Sequence, residues 1–328
     1  MGKIAVEEHW MNPETVRIKD EWHEALGLPV FLNPDFARGR SIGQRLQEFG
    51  GARIAAMDAF GVDVQVLSPA TPGVQGVRGA AEAAAKAREL NDYQAEAIAR
   101  FPGRFAGFAA IPLQDPKAAA AELRRAVQDL GFKGAMVHGY TYGSYLDEEQ
   151  YAPVWQEAED LGVPIYIHPS ETLAYDAQMF RGHPELFGPT WSWGVETATH
   201  ALRIIFSGVF DRFPGARLVL GHLGEMLPYV LDRLDEGYVS SGAAAAGRIK
   251  QPPSAYLRRN LLFSTSGFFA PEALRCAIAA VGIERVLFAA DYPFVEVEKA
   301  VGCVEATALT DAEKALLYED NARRLLHL

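Results

Sequence analysis

The chain has 328 residues, 49% of them apolar and 22% charged, which is the make-up of a soluble globular protein with ample material for a core. A net charge of −11, with no Lys/Arg-rich block, argues against a nucleic-acid partner or an anionic membrane surface. No apolar run is long enough to span a bilayer, no signal-peptide pattern opens the chain, and Cys276 and Cys303 read as reduced core residues, so a cytoplasmic location is expected.

Short β-rich runs alternate with longer segments of 3.6-residue period from end to end, as in βα units around a parallel sheet. The first strand, Ile4-Ala5-Val6, leads into Glu7-Glu8-His9. A stretch rich in charge, Pro and Trp follows from Trp10 to about Gly51 and reads as a long irregular loop, a lid or an oligomer contact. The pattern then predicts a helix over 52–60, a strand over 62–67, a helix over 79–101, a strand over 105–111 and a helix over 116–130. Lys133 to Val137 is a strand ending at His138, 147–161 a helix, and Val163 to Ile167 a strand ending at His168. A second long loop runs from Pro169 to Trp193, and loops of such length inside compact domains are usually functional. A helix over 196–211 precedes the strand that ends at Gly221-His222, and another is expected near 225–235. Strands over 260–264 and 286–290, the latter running into Asp291, complete eight. The expected architecture is a (β/α)₈ TIM barrel, one domain over 1–328, with its site at the C-terminal face.

In such a barrel the carboxyl ends of all strands open onto one mouth, so His9, His138, His168, His222 and Asp291 converge although they span the sequence. The chain has only eight histidines, and four of them stand at this one kind of position. Glu7 and His9, two apart on a strand, point to the same face. With His168 and Asp291 they make two carboxylates and two imidazoles, a set that suits one divalent ion, Zn²⁺ or Mn²⁺. His222 and Glu225, three apart at what reads as a helix entry, form an acid/base or substrate-orienting pair, with His222 as a second metal ligand the alternative. Arg233, eight residues further on, could pair with Glu225 or with a substrate anion. Trp191, Trp193 and Phe294 could wall an aromatic substrate.

These residues also carry a resemblance. The runs Gly2 to His9, Pro112-Leu113-Gln114-Asp115-Pro116, Gly131-Phe132-Lys133-Gly134-Ala135, His168-Pro169, Gly188-Pro189, Gly221-His222-Leu223-Gly224-Glu225, Thr265-Ser266-Gly267 and Asp291-Tyr292-Pro293-Phe294 occur in the order found in the amidohydrolase superfamily. The chain resembles that superfamily's nonoxidative aromatic-acid decarboxylases, of the γ-resorcylate and 2,3-dihydroxybenzoate type. The resemblance implies one divalent metal ion on Glu7, His9, His168 and Asp291, His222 and Glu225 beside it, a small aromatic acid as substrate, and a homodimer or homotetramer. It implies a metal-dependent decarboxylation of an ortho-hydroxybenzoic acid, with Asp291, His222 and Glu225 as catalytic residues. Hydrolysis of an ester, lactone or amide at the same site is the alternative. Relatives of the resorcylate type carry asparagine where this chain has His138, arginine where it has Ser170 and glutamate where it has Val295. The substrate positions are accordingly expected at His138, Ser170, Trp191, Arg233 and Phe294, with His138 titrating near neutrality.

Overall fold

The computed structural model describes residues 2–27, 37–171 and 180–328. The strands are β1 (Ile4–Trp10), β2 (Val64–Pro69), β3 (Phe105–Gly107), β4 (Ala135–His138), β5 (Ile165–His168), β6 (Leu218–Leu220), β7 (Leu261–Ser264) and β8 (Val286–Leu287). They pair in parallel and in chain order as two arcs, β1 to β3 and β4 to β8. Single bridges, Ala109 with Ala135 and Glu8 with Tyr292, join the arcs at both seams. At the first seam the Met136 N–H donates to the Ala109 carbonyl at 3.0 Å. At the second, Val6 N–H reaches the Phe288 carbonyl at 3.0 Å and His9 N–H the Tyr292 carbonyl at 2.8 Å. The sheet therefore closes on itself as a (β/α)₈ barrel.

Strand period explains the layering. Ile4, Val66, Ala106, Met136, Tyr166, Val219, Leu262 and Leu287, one from each strand, form a single buried cluster inside the barrel. Their neighbours in sequence, such as Ile165, Ile167, Leu218, Leu220 and Phe263, turn outward into a second cluster under the helices. One departure from strict alternation matters for the site. The pairing of β1 with β2 slips between Ala5 and Glu8. Val6 faces the inner cluster in step with Ile4, and at the slip Glu7, the next residue, also reaches inward to Tyr166 and Ser264.

The stretch after β1 is not the irregular loop its composition suggests. It holds the helices Pro13–Leu26 and Ala37–Leu46. The first has a capping box between Asn12 and Thr15, Pro13 in its first turn and Gly27 as a left-handed cap. Those signals are present in Asn12-Pro13-Glu14-Thr15, where high charge masks them. Of the second expected loop, residues 172–179 lie outside the described residues. The helix after it, Ser192–Phe206, begins four residues earlier than its apolar period indicates.

Candidate metal centre

Glu7 and His9 on β1, His168 at the end of β5 and Asp291 just past β8 each aim one ligand atom into a common space, and the four atoms lie within 4.8 Å of one another. His9 Nε2 is 3.4 Å from Asp291 Oδ1, and His168 Nε2 is 3.5 Å from Glu7 Oε1. The opposite atoms of these side chains are occupied. His9 Nδ1 meets Ser68 Oγ at 3.2 Å, and His168 Nδ1 lies 2.7 Å from the Pro169 carbonyl. Glu7 Oε2 accepts from the hydroxyls of Tyr166, Ser264 and Ser266. Such outer contacts fix tautomer and orientation of ligating groups. Glu7 Oε1, His9 Nε2 and Asp291 Oδ1 are buried without a hydrogen-bond partner. Leaving a buried polar atom unpaired costs about 1–3 kcal/mol. A divalent cation in their midst would satisfy all three, so these residues fit one.

The charges agree with that chemistry. Burial holds His9 and His168 down to about 4, so both are neutral with a lone pair to give. Burial opposes ionisation of Glu7, but His222, His168 and His9 outweigh it and bring the carboxyl to about 2. Burial, reinforced by the charge of Glu7, pushes Asp291 up to about 7. His222 goes the other way: burial disfavours its charge, yet Glu225 and Glu7 raise it to about 10. His222 is not among the four residues whose ligand atoms lie within 4.8 Å of one another, which counts against it as a metal ligand.

His222 and Glu225 do not open a right-handed helix. From His222 to Met226 every residue has φ between 51 and 75°, a single left-handed turn. The expected helix starts only at Leu231. The turn places His222 Nδ1 2.6 Å from Glu225 Oε1, and the His222 N–H donates to Ser266 Oγ at 3.1 Å. Each non-glycine residue in this region costs about 1–2 kcal/mol, strain that surrounding contacts must hold in place. Gly224 has no alternative here, because a Cβ on it would lie 2.5 Å from the Phe263 ring.

The remaining positions divide. Phe294 sits with its ring 5.7 Å from that of His9. Ser170 is buried, with Thr71 Oγ1 donating to its hydroxyl at 3.4 Å. His138 is buried against His168, its Nε2 3.0 Å from the Pro69 carbonyl. Burial carries its pKa well below 6.5, so it does not titrate near neutrality as its residue type suggests. Trp191 is 47% exposed at the rim, and it is Trp193 whose ring stands 6.5 Å from that of His168. Arg233 is exposed on the helix Leu231–Ser240, and the cation that meets Glu225 is His222 instead.

Sequence reasoning missed Tyr166, Ser264 and Ser266, the hydroxyls around Glu7. Tyr166 could have been found, because it lies two residues before His168 and so shares its face. It also missed Glu196, buried beside His200, with Oε1 3.9 Å from that ring's Nδ1.

Residues 9–328 match a family described as amidohydrolase. The chain belongs to that family. It is 39% identical over 333 residues to gamma-resorcylate decarboxylase of Rhizobium radiobacter, covering 100% of this chain and 98% of that one. Among solved structures, a dihydroxybenzoic acid decarboxylase from Polaromonas, with bound manganese and the inhibitor 2-nitroresorcinol, superposes with a TM-score of 0.91. It is 37% identical, covering 100% of this chain and 97% of its own. The 5-carboxyvanillate decarboxylase of Novosphingobium aromaticivorans, complexed with manganese and 4-hydroxy-3-methoxy-5-nitrobenzoic acid, reaches 0.93 at 32% identity, covering 100% of this chain and 96% of its own.

Proposed function

We propose that this amidohydrolase decarboxylates an ortho-hydroxylated benzoic acid, or a similar phenolic acid, without oxidation, using one divalent ion, manganese in preference to zinc. The observation that carries this reading is the ring of Glu7, His9, His168 and Asp291, with buried unpaired atoms facing one another. Relatives that bind manganese and phenolic ligands support it.

An ion held by those four side chains would supply Lewis acidity toward an ortho oxygen and a carboxylate oxygen of the substrate. Asp291, whose Oδ1 faces His9 in this ring, is the acid that passes a proton to the ring carbon bearing the carboxylate. The bond from that carbon to the carboxylate then breaks, its electron pair restores the aromatic ring, and CO₂ leaves. Asp291 regains a proton from solvent. His222, kept cationic by Glu225, orients the substrate's anionic oxygens. Trp193 and Phe294, against His168 and His9, wall the ring, and Ser170 and His138 set which substituents fit.

The reading extends to a single domain over the whole chain and to a cytoplasmic homodimer or homotetramer. Two free thiols accord with a reducing compartment, and no helix among the described residues is long and apolar enough to cross a membrane. The test is metal analysis of the purified protein, followed by CO₂ release from a panel of hydroxybenzoates beside a panel of esters and lactones. The expected result is about one metal ion per chain and turnover of hydroxybenzoates only, abolished in Asp291→Asn. Turnover of esters or lactones alone would replace decarboxylation with hydrolysis.

A further inference from the structure

Glu8 stands between two of the clustered residues in Glu7-Glu8-His9, yet it takes no part in their ring. Its side chain leaves β1 on the opposite side from Glu7 and His9 and is fully buried. Oε1 accepts the N–H of Ala290 at 2.9 Å, and Oε2 accepts the N–H of Tyr292 at 3.0 Å. Those residues flank Asp291, whose own N–H donates to the Glu7 carbonyl at 3.0 Å. Three consecutive amides past β8 are thus captured by two adjacent residues of β1. Between the two held by Glu8, Asp291 has φ 68°, a left-handed conformation that an L residue keeps only when its surroundings impose it.

The anchor is itself tethered. Gln65 Nε2 donates to Glu8 Oε2 at 3.3 Å, and Arg53 Nη1 donates to Gln65 Oε1 at 3.1 Å. Arg53, also fully buried, donates from Nη2 to the His9 carbonyl at 2.5 Å and lies 4.7 Å over the Tyr292 ring. One network therefore spans the backbone of His9 on β1 and the two neighbours of Asp291 after β8.

We propose that Glu8 is a positioning residue for Asp291. By clamping the backbone on both sides, it holds residue 291 in the left-handed conformation that points its carboxylate at His9 Nε2. With an ordinary φ at that residue the side chain would leave the strand end in another direction. This inference rests on the reading of Asp291 as metal ligand and acid. The competing role is that of a staple closing β8 onto β1, which would affect stability alone.

Glu8→Gln keeps the shape and one acceptor but sets an amide N–H₂ against one of the two backbone N–H groups. Glu8→Asp keeps the carboxyl group and is too short to span both. For each, Mn²⁺ affinity is measured by chelator competition in the absence of substrate, together with kcat, KM and melting temperature. The expected result is a Kd for Mn²⁺ at least ~10-fold weaker. With it, kcat falls roughly 10–100-fold while KM stays within about threefold. A variant that binds Mn²⁺ with parental affinity and merely melts earlier would make Glu8 a staple and overturn the proposal. Should both variants be insoluble, Gln65→Leu, which removes the tether on Oε2, decides by the same readouts. A parent silent on every hydroxybenzoate, with Mn²⁺ affinity still lost in Glu8→Gln, would sink the decarboxylase reading and keep Glu8 in its role. A parent that binds no Mn²⁺ overturns both.

Discussion

The two sides of the barrel mouth are built on different principles. At β1, β5 and β8 the ligand atoms come from the carboxyl ends of strands, which bring Glu7, His9, His168 and Asp291 within 4.8 Å of one another. Along β6 and the helix Ser192–Phe206, position comes from a left-handed turn and from carboxyls buried without full partners. The first side gathers neutral imidazoles and carboxylates, which suits a cation. The second holds a charged pair, His222 with Glu225, beside the buried acid Glu196, which suits proton handling and the recognition of an anionic substrate. The metal side thus carries strain at one ligand, Asp291, whereas the opposite side builds a whole turn from left-handed residues.

Removing a ligand breaks the first side. His168→Ala should leave the barrel folded, because the residue lies at the strand's end, while metal content falls below about a tenth of an ion per chain. Turnover should fall at least ~1000-fold, roughly 4 kcal/mol of transition-state stabilisation. Elemental analysis and circular dichroism check both parts. Full occupancy in this variant would remove His168 from the ligand set.

The second side breaks at Gly224. An alanine there meets the Phe263 ring and loses glycine's freedom at φ 75°, so the turn must shift. Gly224→Ala should lower stability by about 2–4 kcal/mol in urea and kcat by ~10-fold or more, while metal content stays at the parental level. Loss of the metal together with activity would show that the two sides are not separable.

The same division governs what could be read from the sequence. Short continuous apolar runs, each ending at or just before a histidine or aspartate, mark β4, β5, β6 and β8, and the mouth of a parallel barrel does the rest. The register slip inside β1 leaves no trace in Ile4-Ala5-Val6-Glu7, but it does not disturb the shared face of Glu7 and His9. The turn at His222 was misread because Gly221-His222-Leu223-Gly224-Glu225 looks like a helix entry, and only tertiary contacts force the opposite hand. Trp191 and Trp193 are two apart, and which of them faces His168 depends on where the helix starts, a boundary set by packing rather than composition. Glu8 was passed over because one residue of a motif faces away from the other two. Its partners are backbone amides some 280 residues distant, and no side-chain pattern announces such a bond.

The smallest expected effect concerns Glu196. Burial, with the negative charge of Glu225 adding to it, pushes this carboxyl from 4.5 up to about 8. Its neighbour His200 stays neutral, held near 3 by burial, so no ion pair repays ionisation of Glu196. Tyr145, packed edge-on against His200 and itself pushed up to about 12, brings no charge either. An acid whose pKa is raised by folding favours the folded state fully below its unfolded value. That preference is lost as pH rises from about 4.5 through about 8. Glu196→Gln, the same shape without the ionisation, should match the parent at pH 4.5 and exceed it by about 1–2 kcal/mol at pH 9. Urea unfolding at the two pH values reads the difference directly. A variant less stable than the parent at pH 9 would mean that the ionised carboxylate has a partner there, and that this side of the mouth is held by charge rather than by shape.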